Sequence, residues 1–257
     1  MNKKSGILSA VVIATFMIAL YSKSILATFI SLPVYSGGLK LFFHYIWWVL
    51  PVILVTGLLF GFRNIPGNLG LRKDFIKALI FALLCVSPML ISSAIIGKIS
   101  PDLDLLNLFH KTLFAGFFEE FLFRGFLFGL LFMKLGWGFI PSSLLGALIF
   151  GTGHLYQGHS LMESSSIFFV TAVGAVWFAW LFIEWNHNLW IPVFLHVLMN
   201  LSWQLFEVSE NALGGFYTNL FRIISIALTV IISIMQGNKK GFRINRKNLF
   251  LNNTIHA

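Results

Sequence analysis

Charge is scarce in this 257-residue chain, and acid is scarcer than base: charged residues make up 11%, with nine Asp or Glu against eighteen Lys or Arg. Hydrophobic residues reach 58%, aromatic residues 16%, and mean hydropathy is +0.86. Those proportions exclude an ordinary soluble domain and point to an integral membrane protein. Cysteine is nearly missing. The single Cys85 excludes an intramolecular disulfide, leaves the redox compartment open and reads as a packing residue inside an apolar stretch. There is no internal repeat and no low-complexity tract, which argues against repeat arrays and against the matched halves of many transporters. A cleavable signal peptide is not expected either. Lys3 and Lys4 precede an apolar run, but Lys23 interrupts its far end and no small-residue cleavage pattern follows.

What the chain has is apolar length. A hydrocarbon core needs roughly 20 apolar residues per helix. Eight such windows occur, at about 7–30, 39–62, 76–96, 112–135, 137–154, 166–183, 189–206 and 216–235. Only short connections separate them. The expected fold is therefore all-α, a polytopic membrane helical bundle of about eight transmembrane helices forming one domain over 1–257. Its motif-bearing core is expected at about 108–207, and a basic cytoplasmic tail at 236–257.

The net charge of +9 is distributed by side rather than in a nucleic-acid-binding patch. Basic residues gather at Lys3 and Lys4, at Arg63, Arg72, Lys73 and Lys77, at Lys134, and at Lys239, Lys240, Arg243, Arg246 and Lys247; eight spans put all of these on one side. The opposite loops hold Asp102, Asp104, Glu163, Glu207 and Glu210. The positive-inside rule then places both termini in the cytoplasm, with the tail against anionic membrane lipid. The tail lacks interleaved aromatics, so no nucleic-acid partner is expected.

Against this background the segment FFEEFLFRG, 117–125, is anomalous, because ionisable groups inside a membrane are costly and need partners. Glu120 and Arg124 stand at i and i+4 in the favourable Glu-first order and can pair. Glu119 lies about 100° round the helix and needs another partner. Few polar side chains with chemical potential remain within the spans: His154, at the end of FGTGH, and His196 with Asn200, at i and i+4 in HVLMN. All four of Glu119, His154, His196 and Asn200 fall at a similar expected depth. Taken singly, each would be read as structural; their coincidence is what points to a site. Glu120 with Arg124 is read as a buried pair that orders the bundle. His44 is read as packing or interfacial, His110, His159 and His187 as solvated, and Arg222 as snorkelling.

At these residues the chain resembles the CPBP intramembrane proteases, which include the type II CAAX prenyl endopeptidases and the bacteriocin-processing or self-immunity proteins of bacteria. Three motifs carry the resemblance in order: E-E-x-x-x-R as EEFLFR from Glu119, F-x-x-x-H as FGTGH from Phe150, and H-x-x-x-N as HVLMN from His196. LYQG after His154, NLWIPVFLH before Asn200 and NLGLRKDF before the third span are also similar. The motif-bearing match covers about 113–202. The resemblance implies a glutamate-dependent endopeptidase of the cell membrane: Glu119 and His154 act on water, His196 and Asn200 on the oxyanion, and Glu120, Arg124 and Phe150 support them.

Other readings stay open at this point. Glu119, His154 and His196 could hold zinc as in a metalloprotease, although no H-E-x-x-H places two ligands on adjacent turns, and no cofactor is the favoured expectation. A transporter's proton or solute pathway, or an inactive scaffold or immunity protein, would use the same polar cluster differently. The expected partner is a membrane-associated peptide or protein, cleaved where it is unwound near the membrane surface. The sequence leaves the oligomeric state open. Prenylated substrates belong to eukaryotic members of the family; compact size points to a bacterial cytoplasmic membrane and to a peptide precursor, pheromone or membrane protein.

Overall fold

The computed structural model describes residues 3–31, 36–99, 103–240 and 244–252, with backbone alone over 237–240. The chain is all-α and polytopic. Its long helices are α1 (Lys3–Ala27), α2 (Gly37–Phe60), α3 (Phe75–Ile96), α4 (105–134), α5 (Phe139–Thr152), α6 (Leu161–Glu184), α7 (Trp190–Leu205) and α8 (Phe216–Lys240). Among the described residues six are long and apolar enough to cross a membrane: α1, α2, α3, α5 with the turn after it, α6 and α8. The remaining two expected spans differ for separate reasons. The helix α7 has only 16 residues. The run α4 is continuous but mixed, with α-helical Leu105–Phe109, Ala115–Glu120 and Gly129–Lys134 joined by π-helical His110–Phe114 and Phe121–Phe128.

Local chemistry sets where the helices begin. Asp74 accepts from the Lys77 amide at the head of α3, Asp104 from the Leu106 and Asn107 amides at the head of α4, and Ser160 from the Glu163 amide at the head of α6. Glu163 reaches back to the His159 amide at 2.8 Å, a capping box displaced by one residue.

The core forms round α4. Phe121, Leu122, Phe123, Phe126, Leu127, Phe128, Leu130, Leu131 and Phe132 are buried on every side of it, the pattern of a helix enclosed by others. Phe16 of α1 meets Phe123 edge-on, Phe139 and Phe150 reach in from α5, and Phe182 from α6. A second cluster joins α3 to α6, α7 and α8, and contains Cys85, buried and free as a packing residue. The outer faces are apolar as well, with Ile76, Leu84 and Ile95 of α3, Leu58 of α2 and Phe169 and Val173 of α6 exposed. In a membrane these are lipid-facing.

The connections sort into two ends. At one, the Ser5 hydroxyl donates to the Leu135 carbonyl, Trp137 Nε1 to Ser9, the Leu189 amide to Gly70 and Trp190 Nε1 to Leu71, while the Asn188 amide group holds the Asp74 carbonyl. Gly70 has φ +76 there, and a Cβ on it would stand 2.5 Å from the His187 carbonyl. At the other end the Lys98 amide donates to Phe206, Asn211 to Glu163, and the Ala212 amide to Gln157. The ends match the expected basic and acidic sides. Asp102, Arg243 and the side chains of Lys239 and Lys240 lie outside the described residues.

Of the expected tail, residues 236–240 continue α8 and the stretch ending at Asn252 is docked. Carbonyls of Asn248, Leu249 and Phe250 accept from the amides of Phe139, Ile140 and Gly138, and Asn252 binds Gly136 and Phe132. His187, expected in solvent, is instead partly buried in the turn between α6 and α7, its ring against Phe182.

Candidate active site

The Glu119–Arg124 segment sits halfway along α4, where an α-helical turn passes into the second π-helical stretch. The wider π turn still presents Glu120 and Arg124 to each other, with Arg124 Nη1 donating to Glu120 Oε1 at 3.0 Å. Both are buried, Glu120 completely. The guanidinium lies over the rings of Phe150 at 5.0 Å, Phe178 at 5.4 Å and Phe123 at 5.9 Å. Cation–π contacts therefore enclose the charge where water does not.

Helix α7 brings in His196. Its Nδ1 donates to the same Glu120 Oε1 at 2.8 Å, and its Nε2 faces Glu119 Oε2 at 3.9 Å. That second distance is too long for a direct hydrogen bond but within ion-pair reach, and a water bonded to both atoms would sit beside the line that joins them. Glu119 is the more open carboxylate, with its side chain 23% exposed, yet its Oε2 is buried without a hydrogen-bond partner. Its expected missing partner is thus His196 across a gap.

One turn further along α7, Asn200 Nδ2 donates to the Lys111 carbonyl at 2.9 Å, in the first π-helical stretch of α4. An amide nitrogen carries two hydrogens, so one donor remains. His154 lies two residues beyond the end of α5, with Nδ1 at 2.8 Å from the Phe150 carbonyl and its ring 4.5 Å from the Phe150 ring. A carbonyl only accepts, so Nδ1 carries the proton and Nε2 is left as an acceptor. No hydrogen bond or ion pair joins His154 to Glu119, His196 or Asn200. Phe150 is the link, since it touches both His154 and Arg124.

The structure thus brings Glu119, Glu120, Arg124 and His196 into one network, ties Asn200 to it through α4 and sets His154 beside it through Phe150. Sequence reasoning missed three things. Glu120 is not paired with Arg124 alone but holds His196 directly, and Phe178 of α6 stands between Arg124 and His196, 5.8 Å from the imidazole. Tyr45 was also unmarked. Its ring stacks on Phe118 at 4.2 Å and on Phe114 at 5.8 Å, forming with His44 and His110 the wall beside Glu119. Nothing in one aromatic-rich sequence separates these rings from ordinary packing.

Zinc on Glu119, His154 and His196 requires three donors to converge. Among the described residues no group of three His, Cys, Asp or Glu side chains does so. Each histidine keeps a free Nε2, but His154 stands apart from the other two. The set does not fit a metal as arranged.

Residues 101–202 match the model of a protein family, described as type II CAAX prenyl endopeptidase Rce1-like. The stretch contains all three motifs, and the family is the one the motifs resemble. Neither the curated proteins nor the solved structures give a match.

Proposed function

We propose that the chain is an intramembrane endopeptidase that hydrolyses a peptide bond with a water activated by Glu119. The observation that carries the reading is His196 held by Glu120 on one nitrogen while the other faces the unpartnered oxygen of Glu119. That oxygen makes no hydrogen bond and keeps its acceptor capacity for a water, while the His196 nitrogen facing it lies at ion-pair distance. A water in that gap gives its proton to Glu119 as its oxygen attacks the substrate carbonyl carbon. The acceptor Nε2 of His154, held beside the pair through Phe150, is the candidate second partner of that water.

The carbonyl oxygen becomes an oxyanion, and donors aimed at it are the usual source of rate. Asn200 supplies its spare amide hydrogen. His196 donates from Nε2 when it carries a proton on both nitrogens, and charge counting favours that form: Glu119 and Glu120 bring two negative charges, Arg124 one positive, and a proton on His196 makes the set neutral. Collapse of the intermediate breaks the C–N bond, and the departing amine takes the proton from Glu119. No step uses a metal.

The substrate class is a membrane-associated protein or peptide precursor, entered as an unwound segment because a helix hides its carbonyls. Lipid and that substrate are the partners. By the positive-inside rule the basic end lies in the cytoplasm of a bacterial cell.

Purified protein assayed on a quenched peptide should lose about 100-fold or more in kcat with Glu119→Gln while keeping its melting temperature. Full activity in folded Glu119→Gln would end this assignment. After dialysis against a strong zinc chelator the wild type should keep its activity. Loss restored by zinc alone, with one metal per chain by elemental analysis, would replace the metal-free mechanism with a zinc site.

A further inference from the structure

Among the described residues no hydrogen bond joins α5 to α7, so the position of His154 depends on what holds the turn it stands in. That turn runs from the end of α5 to the head of α6. The His154 carbonyl accepts from the Gln157 amide at 3.1 Å, and the Leu155 carbonyl from the Gly158 amide at 3.2 Å. Gly158 is pressed against α6: a Cβ there would stand 2.5 Å from Ser164 Oγ and 2.6 Å from the Ser164 amide nitrogen. The strap 206–215, between α7 and α8, grips the same turn. The Gln157 side chain accepts from the Ala212 amide at 3.0 Å. Glu163 accepts from Asn211 Nδ2 at 2.6 Å through one oxygen and from the His159 amide at 2.8 Å through the other. Asn211 is in turn fixed to α7, because its carbonyl accepts from Trp203 Nε1 at 3.2 Å, and its Oδ1 accepts from the Leu213 amide at 3.0 Å. Arg222 secures the strap from α8, with Nη2 on the Ala212 carbonyl at 2.9 Å and the guanidinium 4.3 Å from the centre of the Trp203 ring.

We propose that Gln157, Glu163 and Asn211 form a clasp of positioning residues that sets His154 against α7. The path is short and continuous. Three residues of helix lead from Asn200 to Trp203, one hydrogen bond leads from Trp203 to Asn211, and Asn211 and Ala212 each reach a side chain on or just beyond the turn of His154. Hydrogen bonds are directional, so this link fixes rotation as well as distance, which apolar packing of the helices alone does not do for a turn beyond a helix end. Glu163 is its strongest member, a carboxylate that serves one donor from the strap and one from the turn. The second motif is thereby held in register with the third. The clasp itself is independent of any activity; the positioning role rests on the endopeptidase reading, in which His154 Nε2 is the second partner of the attacking water.

The test inverts one bond of the clasp. Asn211→Asp sets a second carboxylate against Glu163 and should open the clasp, lowering kcat about 10-fold with KM unchanged. Adding Glu163→Gln remakes the bond with donor and acceptor exchanged, since the new amide group donates to the new carboxylate while its oxygen keeps the His159 amide. The double variant should recover most of the lost kcat. Deuterium uptake by the amides of 154–160, followed by mass spectrometry, should rise in Asn211→Asp and fall back in the double variant. Gln157→Ala should lower kcat in the same way, and Gln157→Glu, which keeps an acceptor for the Ala212 amide, should recover most of that loss. In a His154→Ala background Gln157→Ala should have no further effect, because both act through one side chain. Unchanged uptake in Asn211→Asp overturns the clasp. Uptake that rises and falls back while kcat stays at the wild-type value overturns the positioning role and leaves the peptidase reading standing. A folded wild type that cleaves no peptide ends the peptidase reading and the positioning role together, and the uptake series still decides whether the clasp exists.

Discussion

Glu119 and Glu120 are neighbours in the chain with opposite surroundings. Glu120 is fully buried and holds both Arg124 and His196 through one oxygen, while Glu119 is partly open and faces His196 Nε2 across 3.9 Å. Removing charge from Glu120 therefore strands a buried guanidinium, and Glu120→Gln or Arg124→Ala should cost about 3–5 kcal/mol of stability, read as reduced folded yield and a lower melting temperature. Glu119→Gln should show neither. Another residue-scale expectation concerns pH. Burial, with repulsion from Lys73 and Lys134 behind it, pushes the His187 imidazole down from 6.5 to about 4. The unfolded chain then takes up this proton first as pH falls. The stability from neutral His187 is whole above 6.5, drains between 6.5 and 4 and is level below, with a total loss bounded by roughly 3 kcal/mol. Melting temperature followed across that window should fall in the wild type and fall less in His187→Asn, since Asn tolerates the left-handed φ of +59° at this position. Equal slopes would assign the acid limb to other groups.

At the scale of elements, what the sequence discloses depends on how local the contact is. Glu120 and Arg124 were legible because four residues of helix bring them together, and the shared face of His196 and Asn200 for the same reason. The hydrogen bond from His196 to Glu120 was not, since it depends on how α7 lies across α4, and no periodicity encodes that. The π-helical stretches of α4 were equally hidden: a shift of hydrogen bonding by one residue leaves the apolar pattern unchanged. The eight apolar windows coincide with helices in order and approximate limits, but only six of those helices are long and apolar enough to cross a membrane, and the shortness of α7 and the docking of 244–252 depend on neighbours. Gly116 shows how tightly α7 and α4 are set. A Cβ there would lie 2.7 Å from Val197 Cγ2, 2.9 Å from its amide nitrogen and 3.1 Å from its Cα. Gly116→Ala should force the two helices apart one turn from Glu120, lowering stability by about 1–3 kcal/mol and activity with it. Trimming Val197 to Ala should not rescue it, because backbone atoms remain in the way. Full rescue in the double variant would show that the side chain alone sets the spacing.

For the whole molecule the two-ended sorting of loops groups the residues by side, and the proposed direction rests on the charge asymmetry. In a Cys85→Ser background, Met162→Cys at the exposed start of α6 should react with an impermeant maleimide in intact cells. Arg246→Cys should react only after the membrane is opened. The reverse pattern would turn the bundle over and present the site from the cytoplasm.

The docking of 248–250 on the head of α5 also bears on biogenesis. The first amides of a helix have no partner within it, and here Phe139 and Ile140 find theirs on carbonyls from the far end of the chain. While the protein is being made, α5 is threaded into the membrane long before those carbonyls exist. Its entrance stays wet and loosely set until synthesis has passed residue 250, so the seam beside α4 is the last to be sewn. A nascent chain stalled before that point holds every residue of the candidate site but lacks the carbonyls that cap the head of α5.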